Sequence, residues 1–209
     1  MDKTLTKVIN KIIPKSKTRT VIITIMLFGF IMGIIYFLTL NKIDLELVTK
    51  EIKNIFDLNI IKKANSLEIL KNSILLTLIN IILLYVLGIS IIGIPFIIFL
   101  AFLNTFTLSF TITSIINTYK FKGIFGAFSC IFPGDILNTI IILILSVCSI
   151  KASLKLIRSI KEKTKIDLKL EMARYSIIFG IGLILSCLTS VLNTYISPLL
   201  IKLFIKMFI

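Results

Sequence analysis

A chain of 209 residues is long enough for one soluble domain, yet 57% apolar residues and a mean hydropathy of +1.05 leave too few polar groups to coat one. The formal charge is +14, a balance that in a soluble protein would point to nucleic acid. Here the Lys and Arg residues flank apolar tracts, where they meet anionic headgroups, and no basic groove with stacking aromatics accompanies them; the expected partner is the lipid bilayer, and no nucleic acid.

Residues 1–20 carry Lys3, Lys7, Lys11, Lys15, Lys17 and Arg19, with Leu5, Val8, Ile9, Ile12 and Ile13 on one helical face, which reads as a basic interfacial segment with a helix ending at Pro14. The first apolar tract, 21–40, exceeds a secretory signal core and has no small-residue cleavage site after it, so it is expected to be retained. Its length is close to the roughly 20 residues that cross a hydrocarbon core of about 30 Å as a helix. Residues 41–73 turn polar and form the longest acid-containing connection; within them Leu45, Val48, Ile52 and Ile55 recur at helical spacing and predict an amphipathic helix lying on the membrane or against a partner.

The second span is expected at 74–92 and the third at 96–117. Gly93, Ile94 and Pro95 separate them without a charge, which implies a tight antiparallel pair. After Lys120 and Lys122, a half-helix over 123–133 is interrupted at Pro133, Gly134 and Asp135, and the main fourth span follows over 135–150. Residues 151–174 are again strongly basic. The fifth span is expected at 175–192, and in the tail 193–209 Pro198 starts a short amphipathic helix carrying Lys202 and Lys206.

Lipid cannot satisfy an open backbone amide, so each tract should be helical, and none shows the alternating polarity of a barrel strand. The fold class is therefore all-α, a polytopic helical membrane protein with about five transmembrane helices, read as one transmembrane domain over 1–209. The two connections with the greatest excess of cation over acid, 1–20 and 151–174, fall on the same side of five spans. That side should be the cytoplasm, leaving 41–73 and 193–209 outside.

Histidine is absent, which excludes Ser/His proteolysis and an HExxH zinc site. Asp135 is the one acid within a spanning tract, so a facing aspartyl pair is missing, as is a phosphate-cradling GxxxxGK[ST] loop. No catalytic, cofactor-binding or metal-binding residues are assigned, no cofactor is expected, and the chain is not expected to be an enzyme. Asp135 itself has two readings: an ion or proton relay at membrane depth, or a cap on the fourth helix after the Pro-Gly break. Asn104, Thr107, Thr111, Ser114 and Thr118 make a polar stripe along the third span, suited to helix packing or to lining a channel. Gly29 and Gly33, and likewise Gly180 and Gly182, would let backbones approach closely; they allow a homo-oligomer without requiring one. Cys130, Cys148 and Cys187 lie in apolar tracts and read as small packed side chains.

The string Val86, Leu87, Gly88, Ile89, Ser90, Ile91, Ile92, Gly93, Ile94, Pro95 resembles the helix-to-helix turn of the stage II sporulation protein M family. The likeness continues at Phe132 and Pro133, at Ala173, Arg174, Tyr175 and Ser176, and at Tyr195, Ile196, Ser197 and Pro198, and so covers about two-thirds of the chain from Asn72 onward. It departs in the third span, where Asn104, Thr105, Ser109 and Thr113 replace a Lys-Gly pair and further glycines, and at Gly134 and Asp135, which replace an amide pair. The resemblance implies a non-catalytic membrane scaffold of the engulfment machinery in endospore formers, anchoring peptidoglycan hydrolases, the stage II sporulation proteins D and P, at the septal and engulfing membrane. It marks Gly88, Ser90, Gly93, Pro95, Pro133, Asp135, Arg174, Tyr175, Ser197 and Pro198 as the structural motif. The alternative is a transporter or channel component for an ion or small solute, lined by the broken fourth helix, Asp135 and the third-span stripe.

Overall fold

The computed structural model describes residues 17–57, 65–90, 92–132, 134–162 and 168–208. Among them are seven helices and no strand: α1 (Lys17–Leu38), α2 (Lys42–Ile55), α3 (Ser66–Ile89), α4 (Gly93–Tyr119), α5 (Lys122–Ile131), α6 (Asp135–Glu162) and α7 (Leu168–Phe208). Five of these, α1, α3, α4, α6 and α7, are long and apolar enough to cross a membrane, and α5 is a shorter apolar helix. The all-α, five-span architecture is the one expected from the apolar tracts. The basic segment 1–20 is described only from Lys17, and its expected interfacial helix lies outside the described residues.

The helices outrun the apolar tracts that announced them. α3 begins at Ser66 with Asn65 capping it, its side chain accepting from the Leu67 amide at 3.2 Å, so the polar turn before residue 74 is already helical. α6 runs on through Lys151, Lys155 and Arg158 to Glu162, and much of the basic 151–174 connection is an extension of the fourth helix.

The largest difference is at the end of the chain. The fifth span does not stop near residue 192 before a separate tail helix; α7 is continuous over 41 residues with Pro198 inside it. In water a proline readily ends a helix. In hydrocarbon, ending it would free several backbone groups with no solvent to take them, whereas continuing forfeits one hydrogen bond. The residues beyond Pro198 are also held from outside: Ile201, Phe204 and Ile205 are buried in a cluster with Ile115, Ala127, Ile52 and Phe56.

α2 is the amphipathic helix expected between the first two spans. Asn41 caps it, accepting from the Asp44 amide at 2.9 Å. Its inward face is Val48, Ile52 and Phe56; Ile55, expected on that face, is 43% exposed. Spacing by four keeps 48, 52 and 56 in register, and Phe56 beyond the last helical residue completes the stripe. Phe56 packs edge-on against Tyr119 of α4 and Phe204 of α7, with ring centroids 5.1 and 5.4 Å away. α2 is thus seated on the bundle itself.

The tightest pairing is between α1 and α4. A Cβ on Gly29 would lie 2.6 Å from the Phe102 carbonyl oxygen, and one on Gly33 would overlap the Ser109 hydroxyl and the Phe106 carbonyl. Ala101, Thr105 and Ser109 of α4 are the buried small residues opposite. Small groups on both surfaces bring the backbones together, and Phe28–Phe102 and Tyr36–Phe106 ring contacts at 6.0 and 5.6 Å flank the seam. The Gly29/Gly33 pair is therefore used within one chain. Gly182 meets Leu145 in the same way, whereas a Cβ on Gly180 would meet nothing within 4 Å.

Candidate functional site

Two polar constellations stand out against the apolar bundle. The first is a groove along α4 and α6. Residue 104 lies about 16 Å along α4 from its start at Gly93, at 1.5 Å per residue, which is near the middle of a bilayer core. Two adjoining cavities of about 210 and 220 Å³ share Asn104 and Thr107. Asn80 and Leu84 of α3 wall one end, and Thr111, Asp135, Asn138 and Thr139 wall the other.

The break between α5 and α6 places Asp135 there. α5 ends at Ile131 and α6 starts at Asp135, so the carboxylate sits where the two half-helices meet, beside Asn104 of α4. Its Oδ1 accepts from Asn193 Nδ2 of α7 at 2.6 Å, and the described first-turn amides of α6 do not donate to it. The side chain therefore joins the helix start to the last span. Gly134 is required beside it, because a Cβ would overlap the Asn193 side chain and lie 2.6 Å from the Thr189 carbonyl.

The groove is rich in acceptors. Thr107 and Thr111 donate back to the Leu103 and Thr107 carbonyls, both at 3.0 Å, and Thr139 to Asp135 O at 2.8 Å, so their free capacity is accepting lone pairs. Asn104 and Asn138 each keep a buried amide oxygen with no partner among the described residues. Of the expected third-span stripe, Asn104, Thr107 and Thr111 line this groove; Ser114 is buried, donating to the Phe110 carbonyl at 2.6 Å, and Thr118 is half-buried, donating to Ser114 O at 2.8 Å. The close contact with α1 falls instead to Thr105 and Ser109, one residue further round the helix.

The second constellation joins α3, α6 and α7. The Tyr175 hydroxyl lies 3.0 Å from the Tyr85 carbonyl, 3.3 Å from the Leu84 carbonyl and 3.2 Å from the Ser149 hydroxyl. Ser153 shares its proton among the last carbonyls of α3, at 3.0 Å from Gly88 O and 2.9 Å from Ser90 O. The Gly88 carbonyl lies in the last turn of α3, where intrahelical donors run out, and Ser153 supplies one from the neighbouring span; the Ser90 carbonyl also accepts from the Gly93 amide at 3.2 Å. Tyr85 stacks on Tyr175 with centroids 5.1 Å apart and bonds Ser176 at 2.9 Å. Gly93 follows at the turn, where a Cβ would overlap the Leu87 carbonyl.

Sequence patterning did not single out Ser149 and Ser153, nor the buried Ser146 of α6 and Ser186, Thr189, Ser190 and Thr194 of α7. The three-and-four spacing of Ser146, Ser149 and Ser153 was the available signal.

The motif residues thus meet in two pairs of segments far apart in sequence. Gly88 lies against Tyr175 and the Ser90 carbonyl against Ser153, with Gly93 packed on the Leu87 backbone; Asp135 lies with Asn193, and Ser197 approaches the Cys130 carbonyl at 3.5 Å just before the break. Arg174 stays 65% exposed at its side chain, 3.9 Å from Glu171, while Glu171 pairs with Lys155 at 2.6 Å. Pro95 begins α4 within its first turn, Pro198 lies inside α7, and Pro133 is outside the described residues.

The profile of the family described as stage II sporulation protein M matches residues 21–198. The chain belongs to this family. It is a multi-span helical membrane protein of the stage II sporulation protein M family, and the match reaches upstream of Asn72 to take in α1 and α2. Comparison with curated proteins and with solved structures gave no further match. Both polar constellations lie inside the region matched by the family profile.

Proposed function

We propose that this chain is a non-catalytic scaffold of the engulfment machinery, holding peptidoglycan hydrolases at the septal membrane while the mother cell surrounds the forespore. Membership of the stage II sporulation protein M family carries the reading. In it the hydrolases are stage II sporulation proteins D and P.

The seat of α2 supports this role. A scaffold has to present a fixed surface outside the lipid, and α2 is fixed by Ile52 and Phe56 while Ile43 and Leu47, 72% and 58% exposed, remain on its outer side with Asp44, Glu46 and Glu51. A small apolar patch ringed by charge is a common form of protein-binding surface. The cation excess at 1–20 and 151–174 favours placing those segments in the cytoplasm, and α2 then faces the cell wall. The groove chemistry favours a non-catalytic role, since one carboxylate among amides and hydroxyls provides neither a paired acid and base nor an activated nucleophile.

Affinity purification of the tagged chain from membranes of sporulating cells tests the reading. Both hydrolases should co-purify with the wild type, and a variant carrying Asp44→Lys, Glu46→Lys and Glu51→Lys should insert normally yet lose them. Recovery of neither hydrolase with the wild type sinks the scaffold role.

A further inference from the structure

We propose that the groove between α4 and α6 is a binding site for a small monovalent cation, either an alkali ion or a primary ammonium, with Asp135 as its counter-charge. The inference stands on the groove alone and is independent of the scaffold reading.

Charge is the first argument. Asp135 sits at the junction of two half-helices within the apolar bundle, and no Lys or Arg is among the described residues walling the groove. An isolated carboxylate there is costly unless it holds a proton or a positive charge accompanies it. The helix dipoles do not supply that charge: the amide end of α6 and the carbonyl end of α5 converge on the same break, and their partial charges, about half a unit each and of opposite sign, largely offset one another. The neighbour that does touch the carboxylate, Asn193, is neutral.

The donor set also favours a cation. Around the carboxylate lie the hydroxyl oxygens of Thr107, Thr111 and Thr139, whose protons are committed to backbone carbonyls, and the side-chain amides of Asn104 and Asn138, whose buried oxygens have no partner among the described residues. One anionic oxygen donor among several neutral ones suits an alkali ion or the three donors of an ammonium, and it resembles the oxygen sites that broken helices form in transporters. An anion would instead face the Asp135 charge directly. Size is the third argument: about 220 Å³ beside Asp135 greatly exceeds the roughly 30 Å³ of one water, so the ion keeps part of its hydration shell or carries a short alkyl group.

The test is thermal unfolding of the purified full-length protein in detergent at constant ionic strength, with sodium, potassium, methylammonium or N-methylglucamine as the chloride. At least one of the three small cations should raise the midpoint by about 5 °C over N-methylglucamine, as expected for a ligand well above its dissociation constant. Asp135→Asn keeps an oxygen to accept from Asn193 but removes the charge, and it should abolish the increment; Glu68→Gln, outside the groove, should keep it. Stabilisation by sodium or potassium identifies an alkali site, and stabilisation by methylammonium alone an amine site. Should Asp135→Asn fail to fold, Asn138→Leu, which removes one oxygen and fills space, should reduce the increment by at least half. Identical midpoints in all four salts, or an increment unchanged in the variants, would overturn the site, leaving Asp135 to hold a proton in a water-filled groove.

Discussion

The hydroxyl of Tyr175 occupies the space that any side chain on Gly88 would need. The two residues belong to motif segments far apart in sequence, and the fit explains why one must be bare for the other to reach the Leu84 and Tyr85 carbonyls. Neither residue type would reveal this alone. The pairing makes α7 dock on α3 in one register.

Gly88→Ala should therefore lower the unfolding midpoint in detergent, consistent with overpacking costs of about 1–3 kcal/mol. The loss should shrink in a Tyr175→Phe background, since the overlapping oxygen is gone, although the ring carbon 2.9 Å from the built Cβ keeps part of it. A double-mutant cycle reads the coupling directly; strictly additive losses would show that the two residues do not interact.

Ser153→Ala leaves the Gly88 and Ser90 carbonyls without their cross-helix donor. The expected cost is about 1–3 kcal/mol, the usual range for a buried polar group that loses its partner. Ser153→Cys retains a weak donor and should recover part of it, measured as the same midpoint.

Gly33→Ile should separate α1 from α4, because the added atoms would overlap Ser109 and the Phe106 carbonyl. Light scattering in detergent should show a lower midpoint with an unchanged particle mass, since this glycine seam lies within one chain. A shift from oligomer to monomer would instead assign the seam to a contact between copies.

Pro198→Ala should leave the fold intact, with a midpoint equal to or above that of the wild type, because the helix already continues on both sides. Spin labels at Tyr195 and Leu203, eight residues apart on one helix, should report a backbone separation of about 12 Å with or without the proline. A broad distribution of distances in the wild type would indicate a hinge.

Lys120, the connection between α4 and α5, has φ 51° and ψ −132°, a region that L side chains rarely adopt. Lys120→Gly should relieve roughly 1 kcal/mol of strain and raise the midpoint.

The five spans were legible because burial in lipid writes itself as uninterrupted Ile, Leu and Phe. Their ends were less so. Residues 66–73 and 151–162 are polar enough to read as connections, and their helicity comes from capping by Asn65 and from continuation of helices already begun in lipid. Pro198 misled for a related reason, since the rule that proline stops a helix assumes water at the break. On α4 the polar stripe from Asn104 to Thr118 was visible, but not which small residues meet α1. Thr105 and Asn104 differ by one step of about 100° round the helix, and only the position of Gly29 and Gly33 decides between them. Asp135 was visible as the acid at a broken helix; its bond to Asn193 depends on α7 passing that break, which no local pattern encodes.

The wedge of Phe56 between Tyr119 and Phe204 also has a mechanical meaning. A tug on α2 is shared by the two helices that grip one aromatic ring, α4 and α7, instead of being carried by the short peptide link at residues 39–41 alone. Tension applied to α2 would thus spread into the bundle through two helices, and the joint that yields first under force should be this ring cluster.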